Sequence, residues 1–136
     1  MSTFFIGFCI VCGMVIAARG DGGGGRIAFT SLRDGAQWGI YVMAGDGSHP
    51  VNVTNHAAAD GAPAWSPSGT RIAFMSNRTG NSDTYAMGAD GSDPVNVTNH
   101  AAEDGFPSWS PDGRRIAFTS NRDGNTEIYV MNADGS

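Results

Sequence analysis

The chain has 136 residues and a formal net charge of −5, because eight basic residues stand against thirteen acidic ones. This mild and dispersed acidity excludes the basic stripe that nucleic-acid binders carry, so no nucleic-acid partner is expected. Twenty glycines, spaced at regular intervals, favour short strands joined by tight turns and disfavour long helices.

Residues 1–20 contain an apolar run of fifteen residues from Phe4 to Ala18. The run is short for a membrane span, which needs about 20 residues, and it predicts a secretory signal peptide. An uncleaved membrane anchor is the alternative, and the protein would then meet a membrane only through this segment. Both cysteines, Cys9 and Cys12, lie inside the run, so the mature body is expected to be free of disulfides and to be periplasmic or secreted.

An internal repeat of 44 residues dominates the rest of the chain. It relates Trp65 to Trp109 and Tyr85 to Tyr129, and residues 46–92 share 34 of 47 positions with residues 90–136. An earlier copy begins at Arg26. The predicted repeats therefore run over about 26–61, 62–105 and 106–136, within a single region of 21–136.

Each complete repeat is predicted to form four short antiparallel strands. In the second repeat they cover 62–65, 71–75, 85–87 and 95–98, because large apolar residues alternate there with polar or small ones. A Ser-Pro-x-Gly turn, at 66–69 in this repeat, joins the first two strands. Four strands in 44 residues is typical of a β-propeller blade, so the sequence predicts an all-β fold.

The repeat also carries a specific motif. The pattern P-x-W-S-P-x-G-x-R-I-A-F-x-S-N-R-x-G-N, then Y-x-M and A-D-G-S, runs from Pro63 to Ser92 and from Pro107 to Ser136, and the first copy matches it over 26–55. It resembles the WD-like repeat of the TolB-type propeller family. The resemblance implies a six-bladed propeller beside an N-terminal α/β domain. The stretch between residue 20 and residue 26 is expected to leave no room for that domain.

The first and last repeats are predicted to be incomplete blades. The first has no tryptophan-bearing innermost strand, and the last stops before its outermost one, which predicts ten strands in about two and a half blades. Two interpretations stay open. The chain is a fragment of a larger propeller, or it is a short module that completes its ring as a homo-oligomer.

Strand direction places the loops after the second and fourth strands on one face of the blades. Because arginine is a favoured anchor at interfaces, this face is the expected surface for a protein partner. In the alternative interpretation, the arginines are structural and bridge to Asp60 or Asp104. Trp65, Trp109, Tyr85 and Tyr129 are expected to be packing residues of the repeat, with both tryptophans buried alike. The candidate partner-binding residues are Arg33, Arg78, Arg122, His56 and His100.

The sequence contains only weak indications of a metal site or a catalytic site. Two histidines one blade apart do not form a zinc site, and the loop Asn121–Glu127 only loosely resembles a calcium loop. The body holds none of the common motifs for hydrolysis or phosphate binding, so neither a cofactor nor an enzyme activity is expected. The sequence thus favours a non-enzymatic, exported propeller that mediates protein–protein contacts. The alternatives are an accessory propeller of a prolyl-oligopeptidase-like hydrolase, lacking its catalytic domain, and a carbohydrate- or calcium-binding propeller.

Overall fold

A computed structural model describes residues 25–35 and 37–136 of the chain. The predicted signal segment at 1–20, with both cysteines, lies outside the described residues. Within these described residues, ten strands form three antiparallel sheets, in the orders β1-β2-β3, β4-β5-β6-β7 and β10-β9-β8. The strands are β1 (Arg26–Ser31), β2 (Gly39–Ala44), β3 (Val51–Asn52), β4 (Asp60–Trp65), β5 (Arg71–Ser76), β6 (Asp83–Gly88), β7 (Val95–Asn96), β8 (Asp104–Trp109), β9 (Arg115–Ser120) and β10 (Glu127–Asn132).

The sheets are the predicted blades, with three, four and three strands, which confirms the all-β propeller prediction. β4 contacts β1 of the first blade, and β8 contacts β4 and β5 of the second, so the first strand of each later blade packs against the face of the preceding blade. Among the described residues, no helix is long and apolar enough to cross a membrane.

The main core lies between the first and second blades. It is a single cluster of buried side chains, because the apolar residues of each strand alternate toward the neighbouring blade. Phe74 and Ile72 of β5 are completely buried, as is Ile40 of β2. The cluster is made by Ala28, Ile40, Val42, Trp65, Ile72, Phe74, Tyr85 and Met87.

The two repeated tryptophans differ in burial, which corrects the expectation that they are buried alike. Trp65 is 5% exposed, whereas Trp109 is only half-buried. Trp65 lies between the first and second blades, beneath the guanidinium of Arg26. Trp109 holds the equivalent position in the third blade, but no described blade follows to cover its outer side. The indole N–H of Trp109 donates to the carbonyl oxygen of Ala64 at 3.1 Å.

The first strand of the second blade, β4, and that of the third, β8, each contain a β-bulge. The register shifts between Gly61 and Ala64 in β4, and the same shift occurs in β8. Ala62 and Phe106, the third residues of these strands, have φ angles of 50° and 51°. Residues other than glycine rarely adopt a positive φ angle, so the backbone is strained at the bulge, and the strain is repeated in both blades.

The outermost strands are shorter than predicted, with two paired residues each instead of four. The hydroxyl oxygen of Thr98 accepts a hydrogen bond from the amide of Thr84 at 2.9 Å. Thr84 precedes the last paired residue of β6, Tyr85, so this side chain takes the place of a backbone acceptor. The side-chain oxygen of Asn96 accepts the amide of Asn99 at 2.8 Å and turns the chain away. The strand therefore ends because side chains replace the backbone as hydrogen-bond partners.

The predicted tight turns close the blades at the opposite end. In the Ser-Pro-x-Gly turn, the amide of Gly69 donates to the carbonyl of Ser66 at 2.9 Å. In the Asp-Gly-Ser turn of the second blade, Asp90 accepts the amide of Ser92 at 3.0 Å and its hydroxyl at 2.6 Å. These two hydrogen bonds hold the pKa of Asp90 below its ordinary value, and the one from the Ser92 hydroxyl has the larger effect.

Candidate functional site

The loop face is the end of the blades that carries the loops 32–38, 53–59, 77–82, 97–103 and 121–126. It is defined by strand direction, since every second connection of an antiparallel sheet returns to the same end. Two different kinds of residue occupy this face. One group is locked into the blades by hydrogen bonds, and the other presents donor groups to solvent.

Arg78 and Arg122 belong to the locked group. Nη2 of Arg78 lies 3.0 Å from a carboxylate oxygen of Asp60, and the equivalent distance from Arg122 to Asp104 is 3.1 Å. Both carboxylate side chains are completely buried, while the arginine side chains are 14% and 25% exposed. A buried carboxylate needs such a partner, because an unpaired charge in the interior is strongly unfavourable.

Aromatic rings complete the setting of these arginines. The guanidinium carbon of Arg78 lies 5.3 Å from the ring centroid of Phe74 and 4.8 Å from that of Tyr85. In the third blade, Arg122 makes the same contacts with Phe118 and Tyr129, at 5.2 and 4.7 Å. Each guanidinium is therefore stacked, hydrogen-bonded and ion-paired within its own blade.

Arg33 occupies the same place in the first blade but differs in one respect. Its guanidinium lies 5.0 Å from the Phe29 centroid and 5.1 Å from that of Tyr41, and its Nε donates to Ser31 at 3.3 Å. Within residues 25–35 and 37–136 it has no carboxylate partner. The equivalent of Asp60 would stand on an innermost strand, which the described part of the first blade does not contain.

The two candidate histidines are exposed and held in the same geometry. Nδ1 of His56 accepts the amide of Ala58 at 2.9 Å, and Nδ1 of His100 accepts the amide of Ala102 at 3.0 Å. Because Nδ1 is an acceptor in both rings, the proton of each neutral imidazole is assigned to Nε2. The loop face thus carries two exposed N–H donors at equivalent positions of neighbouring repeats.

Asp83 is a central residue of this face that the sequence analysis missed. It is buried, and its carboxylate accepts hydrogen bonds from Thr79 at 2.8 Å, Asn96 at 2.8 Å and Thr98 at 3.2 Å. The amide of His100 adds a fourth contact at 3.3 Å. The segment VNVTNHAA occurs unchanged at 51–58 and 95–102 and contains Asn96, Thr98 and His100. No sequence signal pointed to Asp83 itself, because the other repeats have glycine or glutamate at that position.

In the first blade, Gly39 stands where Asp83 stands in the second. A Cβ atom at Gly39 would lie 3.2–3.3 Å from the side chains of Asn52 and Thr54, so little space remains beside the backbone. Further out, a polar cavity of ≈ 310 Å³ opens, lined in part by Asp34, Tyr41 and His56. Tyr41 donates to Asp34 at 2.7 Å, and burial together with this carboxylate raises the pKa of Tyr41.

In the loop that loosely resembles a calcium site, two side-chain oxygens accept hydrogen bonds from the protein itself. The side-chain oxygen of Asn121 accepts the amide of Glu103 at 3.0 Å, and Asp123 accepts the hydroxyl of Tyr129. This hydrogen bond, together with burial, raises the pKa of Tyr129 to about 12. No group of three histidine, cysteine, aspartate or glutamate side chains in the described part of the chain is arranged to hold a metal ion.

Consecutive antiparallel blades that pack on one another, with an internal arginine–aspartate pair in the second and third, define a β-propeller repeat protein. The profile of the family described as PD40: TolB beta propeller domain matches residues 23–136. The chain belongs to this TolB β-propeller domain family.

Individual relatives agree with that assignment. The Tol-Pal system protein TolB of Desulfosudis oleivorans is 40% identical over 58 residues, which cover 43% of this chain and 13% of that protein. A putative TolB from Agrobacterium tumefaciens superposes with a TM-score of 0.74 at 28% identity, covering 82% of this chain and 40% of the other. The tricorn protease, with a TM-score of 0.62 at 22% identity over 88% of this chain and 11% of the other, shares the fold alone.

Proposed function

We propose that this protein is a non-enzymatic propeller module that binds another protein through its loop face. The supporting observation is the pair of exposed imidazoles at His56 and His100, which present Nε2–H donors from rigid, equivalent positions. Arg33 extends this set, because its guanidinium has no carboxylate partner among the described residues. Arg78 and Arg122 lie on the same face, but the carboxylates of Asp60 and Asp104 balance their charges.

The chemistry of the surface indicates what the partner offers. Exposed N–H donors and a forked guanidinium match carboxylate and carbonyl oxygens. The matched relative is named a Tol-Pal system protein, so a protein of such a system is the first partner to test. Since the chain spans 13% of that relative, the partner is proposed for the chain and is not transferred from the relative.

Binding to a purified Pal-type protein tests this proposal. In isothermal titration calorimetry, we expect the wild-type chain to bind and the double variant His56→Ala, His100→Ala to bind about tenfold more weakly, since loss of a few polar anchors costs one or more factors of ten. His49→Ala, which removes an exposed histidine in the turn between β2 and β3 on the opposite face, is the matched control. Equal affinity in all three proteins would rule out the loop face.

We also propose that the protein is exported and is periplasmic or secreted. The support is the apolar run from Phe4 to Ala18 followed by the small-x-small sequence Ala18-Arg19-Gly20. Expression in a Gram-negative host should yield protein in the osmotic-shock fraction, with an intact mass that lacks residues 1–20. Protein of full mass in the membrane fraction would instead support the anchor, and full-mass protein in the cytosol would contradict export.

A further inference from the structure

The first and second blades carry the same loop segment, VNVTNHAA, but surround it with different side chains. In the second blade, the carboxylate of Asp83 accepts hydrogen bonds from the Asn96 side chain at 2.8 Å and the Thr98 hydroxyl at 3.2 Å. The backbone amide of His100 also donates to it, at 3.3 Å. The segment of the second blade is therefore organised around an internal carboxylate.

The first blade keeps these donors but has no carboxylate at that position, because Gly39 stands in place of Asp83. The side chain of Asn52, the counterpart of Asn96, donates instead to the hydroxyl oxygen of Tyr41 at 3.2 Å. A side-chain amide has two N–H donors, so this bond leaves the second N–H for another acceptor. The identical segment thus presents in the first blade a donor group that the second blade uses internally.

A second difference concerns the contact between the two loops of each blade. In the second blade, the side chain of Asn81 bridges the loops by donating to the carbonyls of His100 and Ala102, at 2.9 and 2.8 Å. The corresponding stretch 35–38 of the first repeat contains no asparagine. Between the loops of the first blade lies the polar cavity of ≈ 310 Å³, a volume within the range of small-molecule sites. Its polar lining includes Asp34, Gln37, Tyr41, Asn52, Asn55 and His56.

The chemistry of this lining indicates the class of ligand. The side-chain amides of Gln37, Asn52 and Asn55 offer both donors and acceptors, and hydroxyl groups likewise both donate and accept. Among the described lining residues, Asp34 supplies the only carboxylate, and none is arginine or lysine. Oδ2 of Asp34 accepts the Tyr41 hydroxyl at 2.7 Å, which leaves Oδ1 for a further donor. An anionic ligand would be repelled by Asp34, whereas a neutral ligand with several hydroxyls satisfies both kinds of group.

We propose that this cavity of the first blade is a binding site for a neutral saccharide, and that it holds one hexose-sized ring. One hydroxyl of the ring accepts from the Asn52 side chain and the His56 amide, in the place that the Asp83 carboxylate takes in the second blade. A neighbouring hydroxyl donates to Oδ1 of Asp34. This site differs from the protein-binding surface proposed above, because it lies within one blade and does not involve His100.

An NMR titration of the ¹⁵N-labelled full chain tests the site with the methyl glycosides of glucose, galactose and mannose as neutral probes. We expect at least one of them to shift the side-chain amide resonances of Asn52 and Asn55 and the backbone amide resonance of His56. The identical segment of the second blade is the internal control, and its equivalent resonances should stay in place. They belong to Asn96, Asn99 and His100. The methyl glycoside of glucuronate, which adds a carboxylate to the glucose ring, should bind about tenfold more weakly than the glucoside because of Asp34.

A single substitution tests the acceptor in the cavity. Asp34→Asn removes the charged acceptor, so it should weaken saccharide binding about tenfold, the usual effect of losing a hydrogen bond to a charged group. Asp46→Asn is the matched control, because it removes the same charge from the exposed turn between β2 and β3, at the opposite end of the blade. This control should bind the saccharide as the wild-type chain does.

A double variant tests the cavity by filling it. Asp34→Thr with Gly39→Asp copies the second blade, in which Thr79 and Asp83 hold these two positions. A Cβ atom at Gly39 would lie 3.2–3.3 Å from side-chain atoms of the first blade, and the equivalent side chains of the second blade accommodate an aspartate there. The melting temperature should therefore be maintained, while the new carboxylate takes the place of the sugar hydroxyl and abolishes binding.

Several outcomes would overturn the proposal. They are no shift at Asn52 or Asn55 with any of the three neutral glycosides, equal shifts in both blades, and unchanged binding by the folded double variant. Tighter binding of the glucuronate glycoside would make the cavity a carboxylate site instead. If the double variant did not fold, full affinity in Asp34→Asn would still contradict the proposal. His100→Ala should bind the saccharide normally, and Asp34→Asn should bind the Pal-type protein normally, so failure here and failure of the loop-face proposal are distinguishable.

Discussion

Replacing Arg78 with alanine is expected to lower the free energy of unfolding by about 3–5 kcal/mol, the usual effect of removing one partner of a buried ion pair. The variant leaves the carboxylate of Asp60 completely buried without its guanidinium, which lies 3.0 Å away in the wild-type protein. It also removes the planar group that stacks on Phe74 and Tyr85. Urea denaturation followed by tryptophan fluorescence measures the change.

Arg33→Ala is the matched control for this prediction. It removes the same side chain at the same position of the repeat, with the same kind of ring contacts, but no ion pair among the described residues is lost. A small loss at Arg33 beside a large one at Arg78 would assign the effect to the buried pair. Equal losses would show that stacking on the rings, and not the carboxylate, accounts for the stability.

Trp65→Ala should also destabilise the protein by about 3–5 kcal/mol, as truncation of a large buried aromatic residue does. Trp65 is 5% exposed and belongs to the core between the first and second blades. Trp109→Ala should have a smaller effect, because Trp109 is half-buried and loses only one hydrogen bond and part of its packing. Thermal and urea unfolding of both variants test the difference.

Phenylalanine substitutions refine that comparison. Trp65→Phe keeps most of the buried ring and removes an indole N–H that has no hydrogen-bond partner among the described residues, so it should be tolerated. Trp109→Phe breaks the bond to the Ala64 carbonyl. If Trp109→Ala proved as damaging as Trp65→Ala, the half-buried position of Trp109 in the structure would be contradicted.

The sequence predicted the blades well because two independent signals coincide in each of them. Period-two alternation identified the strands, and the Ser-Pro-x-Gly and Asp-Gly-Ser turns located the ends of those strands. The 44-residue repeat then fixed their equivalence, so the count of ten strands followed from residue spacing alone. The outermost strands were overestimated, because Thr98 ends the ladder with its side chain, and propensity does not register that competition.

The roles of the loop residues were harder to predict. Repetition marks a residue as important to the repeat, and a structural ion pair and a binding residue are repeated equally. Arg78 and Arg33 are therefore alike in sequence, although only Arg78 has a carboxylate partner among the described residues. Asp83 could not be predicted from the repeat, for the opposite reason. It is buried at the centre of a hydrogen-bond cluster but is not repeated, so no periodic signal distinguished it from an exposed turn residue.

The glycine of the Asp-Gly-Ser turn has a consequence for the shape of the whole assembly. A Cβ atom at Gly91 would lie 2.1 Å from the carbonyl oxygen of Val53 in the preceding blade, and one at Gly135 would lie 2.7 Å from that of Val97. Neighbouring blades therefore touch backbone to backbone near their outer strands. Since a side chain at either glycine would force the outer parts of neighbouring blades apart, glycine there permits a close approach, and that approach contributes to the angle between successive blades, on which the number of blades in a closed ring depends.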